Sequence, residues 1–233
     1  DSETQERDSE HTVLNSQCLD VIVVGAGVVG CAVARRFTLE GAHVAVIEKA
    51  TDILDGASKA NSAILHTGFD APADSLELSC IRDGYREYRE IRTQIGLPLD
   101  QVGALVVAWT DQETATLDSI VSQAHDNGVD DVHLVDNREI FRREPNLAKD
   151  VRAAIAVPGE SIIDPWSAPY AYLRQALMNG AQIFLSCELT GGDYGGGEWL
   201  LQTSRGTLKA RYVINCAGLF GDTVDGRLLG TSN

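Results

Sequence analysis

Three glycines and one acid carry the first chemistry legible in this chain. Gly25-Ala26-Gly27-Val28-Val29-Gly30 spaces glycine as a backbone needs when it turns from a strand into a helix around an anion. Gly25 permits the tight turn, Gly27 lets main chain approach a diphosphate, and Gly30 lets helix and strand pack closely. The helix that starts at Val28 and Val29 offers unpaired N–H groups and the positive end of its dipole, with no cationic side chain needed. Glu48 closes the following strand, where a carboxylate accepts hydrogen bonds from both ribose hydroxyls of an adenosine and disfavours a 2′-phosphate. The set reads as a dinucleotide site that rejects NADP. By itself it does not separate FAD from NAD.

The elements that must hold these residues follow from periodicity. Leu19–Val24 is a short apolar run, as in a strand buried on both faces of a parallel sheet. A helix is expected over Val28–Glu40, ended by Gly41, and a strand over His43–Glu48, making a βαβ unit with a right-handed crossover. Ile81, Tyr85, Tyr88, Ile91 and Ile95 fall at helical spacing and predict a long helix over Ser75–Ile95. Strands are expected over Gly103–Trp109, Val132–Val135 and Ala153–Val157. Helices are expected over Asp111–Asn127, with Asp111 as N-cap, and over Asn137–Arg143. A helix over Trp166–Asn179 precedes strands at Ala181–Leu185, Cys187–Gly192, Trp199–Thr203 and Arg211–Asn215. The opening Asp1–Gln17 is polar and acidic and reads as a disordered tail without the marks of a signal or transit peptide.

Composition narrows the classes. The 233 residues are 44% hydrophobic and 23% charged with a net charge of −15, so a collagen-like or disordered chain is excluded and nucleic acid is a poor partner. No apolar run reaches the roughly 20 residues of a transmembrane helix. The five cysteines never fall as CxxC, which argues against zinc or any other metal and for a reducing, cytoplasmic compartment.

The block after the acid separates the cofactors. Gly56-Ala57-Ser58-Lys59-Ala60-Asn61-Ser62-Ala63-Ile64-Leu65-His66-Thr67-Gly68 resembles the FAD-dependent family of D-amino acid oxidase, glycerol-3-phosphate dehydrogenase and L-2-hydroxyglutarate dehydrogenase. There a GAS-x-x-NSG segment runs from diphosphate to flavin; here Ala63 stands where Gly is usual. Ile162–Trp166 resembles the return from substrate to cofactor domain, and Val213–Gly218 resembles the family's NAAG turn beside FAD. Between them, Gly180–Thr190 matches a paired-strand element in which Leu189 gives backbone contacts to adenine. The resemblance implies FAD held by Gly25, Gly27, Val28, Val29, Gly30, Glu48, Lys49, Ala57, Ser58, Asn61, Ser62, Leu65, Leu189, Cys216, Ala217 and Gly218. It places His66 near the flavin ring as candidate catalytic residue, able to hydrogen-bond substrate or relay a proton. Lys59 reads as a surface side chain, Cys216 as a small filler, and Asp164 and Trp166 as helix entry and packing.

The implied fold is α/β: a Rossmann-like FAD-binding domain, three-layered around a parallel sheet, with an inserted, incomplete α+β substrate domain. Its expected parts are the tail at 1–17, the FAD domain at 18–96 and 162–233, and the insertion at 97–161. The implied reaction is hydride transfer to flavin from a small hydroxy- or amino-substituted molecule, glycerol 3-phosphate or a 2-hydroxy acid foremost. Oxygen, a quinone or an electron carrier would be the acceptor. Relatives carry more substrate sheet after the NAAG turn, so the resemblance implies a chain cut short on its C-terminal side. A truncated, non-catalytic dinucleotide-binding module and an NAD-dependent dehydrogenase are the alternatives.

Overall fold

The computed structural model describes residues 13–230. Its chain divides into two compact units: residues up to Asn61 together with those from Pro165 onward, and Ser62–Asp164. In chain order the first unit opens with β1 (Val13–Val24), α1 (Val28–Leu39) and β2 (Val44–Ile47). The second supplies β3 (Ile64–Leu65), α2 (Leu76–Ile95), β4 (Ala104–Ala108), α3 (Asp111–Thr114), α4 (Leu117–Asp126) and β5 (His133–Val135). It closes with α5 (Asn137–Arg143), β6 (Ala153–Val157) and β7 (Ser161–Ile162). The first unit resumes with α6 (Ser167–Met178), β8 (Gln182–Phe184), β9 (Leu189–Gly195), β10 (Glu198–Thr203), β11 (Gly206–Asn215) and α7 (Gly221–Leu229).

The sheet of the first unit runs β8-β2-β1-β11-β10-β9. Neighbours from β8 to β11 are parallel, and β10 and β9 add an antiparallel ribbon, so the expected parallel sheet is in fact mixed. Strand side chains alternate between faces, which explains the unbroken apolar run in β1. Val21 and Val23 pack with Ala34 of α1 and with Leu173 and Ala176 of α6. Ile22 and Val24 pack oppositely, with Leu201, Leu208 and Val224. The Rossmann-like α/β reading holds.

β1 starts well before Leu19. Val13 pairs with Thr207 and, after a register irregularity, Cys18 pairs with Lys209. This corrects the tail expected over 1–17 for its last residues. β11 begins at Gly206 rather than Arg211, so Thr207 is there to pair with Val13, a contact that no apolar pattern announces. The rest of that expectation, 1–12, lies outside the described residues.

The second unit is built on an antiparallel sheet ordered β4-β6-β5. Ala108, Val132, Ile155 and Val157 form its core with Phe69 and with Leu117 and Ala124 of α4. Asn127 is buried beneath, its amide donating to the Gly68 and Ala71 carbonyls at 2.9 Å each. The helix expected over 111–127 is two helices, and its cap is Thr110, not Asp111. Thr110 Oγ1 accepts from the Glu113 N–H, and Glu113 reaches back to the Thr110 N–H, both at 3.1 Å, a reciprocal capping box. α2 belongs to this unit: Tyr85 and Tyr88 donate their hydroxyls to the Gly159 and Pro98 carbonyls. The chain first passes between the two compact units from Asn61 to Ser62.

Ala63, where the family's glycine was expected, has φ +57°. An L side chain in that left-handed region costs roughly 1–2 kcal/mol, part of which the greater unfolded-state freedom of glycine cancels. Ala63→Gly is expected to raise unfolding stability by about 0.5–1 kcal/mol. A urea midpoint that falls instead would show that the methyl group contributes packing larger than the strain.

Candidate functional site

The turn from β1 into α1 is wedged between backbones. Gly25 has φ +104°, donates its N–H to the Ile47 carbonyl at 2.8 Å, and would bring a Cβ to 2.5 Å from the Cys216 carbonyl oxygen. A Cβ on Gly30 would lie 1.9 Å from the Gly25 oxygen, and one on Gly27 would lie 3.2 Å from Ser58 Oγ. The first helical N–H, of Val28, donates to that same Ser58 oxygen at 3.0 Å. Thus a hydroxyl from the 3₁₀ turn over Ala57–Lys59 already satisfies one of the orphan donors at the start of α1.

Glu48 does more than its sequence position announced. Its two oxygens accept from the Ala26 N–H at 2.7 Å and from the Ala50 N–H at 2.9 Å. The carboxylate therefore ties the glycine turn to the end of β2, and its remaining lone pairs are available to hydroxyls. Beside it lies a cavity of about 620 Å³, wholly within the first unit. Gly25, Gly27, Val29, Glu48, Ala57 and Ser58 line one part of it; Leu189, Cys216, Ala217 and Gly218 line another. Lys49 is also in the wall, its Nζ 3.1 Å from the Phe220 ring centroid.

Two side chains support this wall: Arg227, which had no role in the sequence analysis, and Asn215, which entered it only as part of the NAAG-like turn. Arg227, on α7, donates to Glu188 Oε1 at 2.8 Å and to the Leu189 carbonyl, thereby fixing the backbone beside which Leu189 is buried. Asn215 donates to the Gly221 carbonyl and to Asp225 Oδ1 at 2.8 Å each, and accepts from the Ala217 N–H, shaping the turn after β11. A helical pattern was present in Phe220, Val224 and Leu228 with Gly230 behind it, and could have revealed α7. Burial pushes the Cys31 thiol up to about 12, with Glu48 and Cys216 adding to the effect, and burial also raises Cys216. Neither is poised as a thiolate.

The remaining residues singled out in the sequence do not line this cavity. The Val28 side chain is exposed, and Gly30 acts inside the turn rather than on the cavity wall. Asn61 is not on that wall; its amide donates to the Ser58 carbonyl at 3.1 Å. Ser62 and Leu65 belong to the second unit, where Leu65 pairs with Ser161. Lys59 is an exposed side chain 3.6 Å from Asp55, and its carbonyl accepts from Trp166 Nε1. His66 also lies in the second unit, with Nδ1 3.0 Å from Glu160 Oε2. Among the described residues no group of three or more His, Cys, Asp and Glu side chains could hold a metal ion.

A family profile described as FAD dependent oxidoreductase matches residues 20–232. The chain is 34% identical over 206 residues to a glycerol 3-phosphate dehydrogenase of Caloramator mitchellensis, covering 88% of this chain and 43% of that protein. It is 27% identical over 206 residues to an L-2-hydroxyglutarate dehydrogenase of Indibacter alkaliphilus, covering 88% and 51%. Among solved structures, the dithionite-reduced L-alpha-glycerophosphate oxidase of Mycoplasma pneumoniae with FAD bound superposes with a TM-score of 0.84 at 25% identity, over 91% of this chain and 57% of that one. The chain spans about half the length of the curated relatives it matches.

Proposed function

Because the chain belongs to the FAD dependent oxidoreductase family, we propose that its first unit holds the adenosine and diphosphate of FAD. In this reading the whole protein oxidises a small hydroxy- or amino-substituted substrate of the glycerol 3-phosphate or 2-hydroxy acid class. The observation that carries it is the convergence of the bare glycine turn, the start of α1 and Glu48 on one cavity. The site fits the cofactor by shape and by donor type. Cβ atoms at Gly25, Gly27 and Gly30 would fill or break the cradle, and the exposed backbone donors suit a diphosphate without a cationic side chain.

Gly25, Gly27, Val29 and Ser58 would hold the diphosphate, Glu48 the ribose, and the backbone at Leu189 the adenine. Lys49, Ala57 and the Cys216–Gly218 turn would complete the wall. FAD, when bound, would supply the hydride acceptor for the substrate C–H, and the substrate's O–H or N–H proton would go to a protein base. His66 is the residue we assign to take that proton, and an acceptor of the oxygen, quinone or electron-carrier class would complete the cycle. No helix among the described residues is long and apolar enough to cross a membrane. The free thiols support a reducing compartment such as the cytoplasm.

Titrating the purified chain with FAD, followed by flavin fluorescence and visible absorbance, is the direct test. Saturable yellow binding is expected, with NADP failing to compete. A preparation that binds NAD and not FAD would overturn the reading. A substrate panel with an artificial electron acceptor then separates catalysis from the second reading, a cofactor-binding module without turnover.

A further inference from the structure

In the second unit a buried carboxylate is wrapped by three donors. Glu160 Oε1 accepts from the Thr67 N–H at 2.7 Å and from the Thr67 hydroxyl at 2.8 Å, while Oε2 faces His66 Nδ1 at 3.0 Å. The Glu160 side chain is 4% exposed and that of His66 is 47% exposed. The partners are brought together by the antiparallel pairing of β3 with β7: Leu65 opposes Ser161, so the next step along the ladder sets His66 beside Glu160. The turn before Glu160 is pinned as well. Tyr85 donates to the Gly159 carbonyl at 2.9 Å, and a Cβ on Gly159 would lie 2.7 Å from the Thr67 methyl carbon.

We propose that Glu160 is a positioning residue for His66, holding Nδ1 as the donor so that Nε2 is the nitrogen left to accept a proton. An ionised carboxylate is acceptor-only, and the Thr67 N–H can only donate. The ring nitrogen facing Oε2 must therefore carry hydrogen, which sets the neutral tautomer. Among the described residues Glu160 makes its one side-chain ion-pair contact with His66, so no Arg or Lys competes for Oε2. This rests on the reading of His66 as the proton acceptor, but the tautomer does not depend on FAD.

The test is a long-range ¹H–¹⁵N spectrum of the histidine side chains in the uniformly labelled chain, with His66 assigned by the signals lost in His66→Asn. The expected result is the Nδ1–H tautomer for His66 at neutral to mildly alkaline pH. Glu160→Gln is expected to lose that preference, because its amide can donate to Nδ1, whereas Glu160→Asp, which keeps an ionised carboxylate, is expected to retain it in part. Melting temperatures are measured alongside, since a purely structural Glu160 would lower them without altering the tautomer. An Nε2–H tautomer in the unmodified chain overturns the proposal, whether or not the variants fold, and so does an unchanged tautomer in Glu160→Gln. Failure of the flavin reading shows separately, as absent FAD binding with the His66 tautomer as stated.

Discussion

Gly30→Ala is expected to reduce the affinity for FAD by about 100-fold or more, corresponding to roughly 3 kcal/mol of lost binding. The added Cβ would begin 1.9 Å from the Gly25 carbonyl oxygen, a backbone atom, with the Cys216 Cβ at 3.4 Å on its other side. The usual escape is closed. Gly25 is bound to Ile47 through its N–H, and its own bare α-carbon is already pressed against the Cys216 carbonyl. Moving the oxygen away means moving the turn, and with it the N–H groups at the start of α1 that would meet the diphosphate. Overpacking of this kind commonly costs about 1–3 kcal/mol of stability. A flavin fluorescence titration and a urea denaturation curve measure the two losses. An affinity within a factor of two of the unsubstituted chain would show that the cofactor does not lie on this turn.

Glu48→Ala is expected to damage the chain even before cofactor is added. It removes the acceptor of two backbone N–H groups, of which Ala26 lies in a residue with 0% exposure. A buried donor left without a partner costs about 1–3 kcal/mol, and hydrogen bonds to a charged acceptor are worth about 1.5–3 kcal/mol. We expect the cofactor-free chain to lose about 2–4 kcal/mol of stability and FAD affinity to fall a further 10- to 100-fold as the ribose partner disappears. Glu48→Gln keeps one carbonyl oxygen and should lose less of both. A ribose-only role makes a different prediction: cofactor-free stability unchanged and affinity reduced. Thermal melts of both variants without FAD decide between them.

The glycine turn, the acid and the two strands around them were legible because each signal is local. Glycine spacing, a run of apolar side chains and an acid at a strand end need no knowledge of distant residues. The second unit was legible in its elements but not in its membership. α2 carries a clear helical period, yet that period does not say that Tyr85 and Tyr88 seek the carbonyls of Gly159 and Pro98. Asn61, Ser62 and Leu65 follow the motif of the family in sequence, but the chain passes from one unit to the other between them.

By itself, then, the sequence pointed to the βαβ start, the dinucleotide-type glycine turn with its acid, and the resemblance to the FAD family. Only the tertiary structure decided that β1 reaches back to Val13, that Glu48 supports the turn it serves, and that Arg227 fixes the backbone at Leu189. It alone brought Glu160 to the His66–Thr67 step, 93 residues from Thr67 along the chain. The reason is common to all four. Each depends on which backbone groups and polar side chains meet after strands pair and helices dock, and a hydrogen bond between distant residues leaves no periodic trace in the order of amino acids.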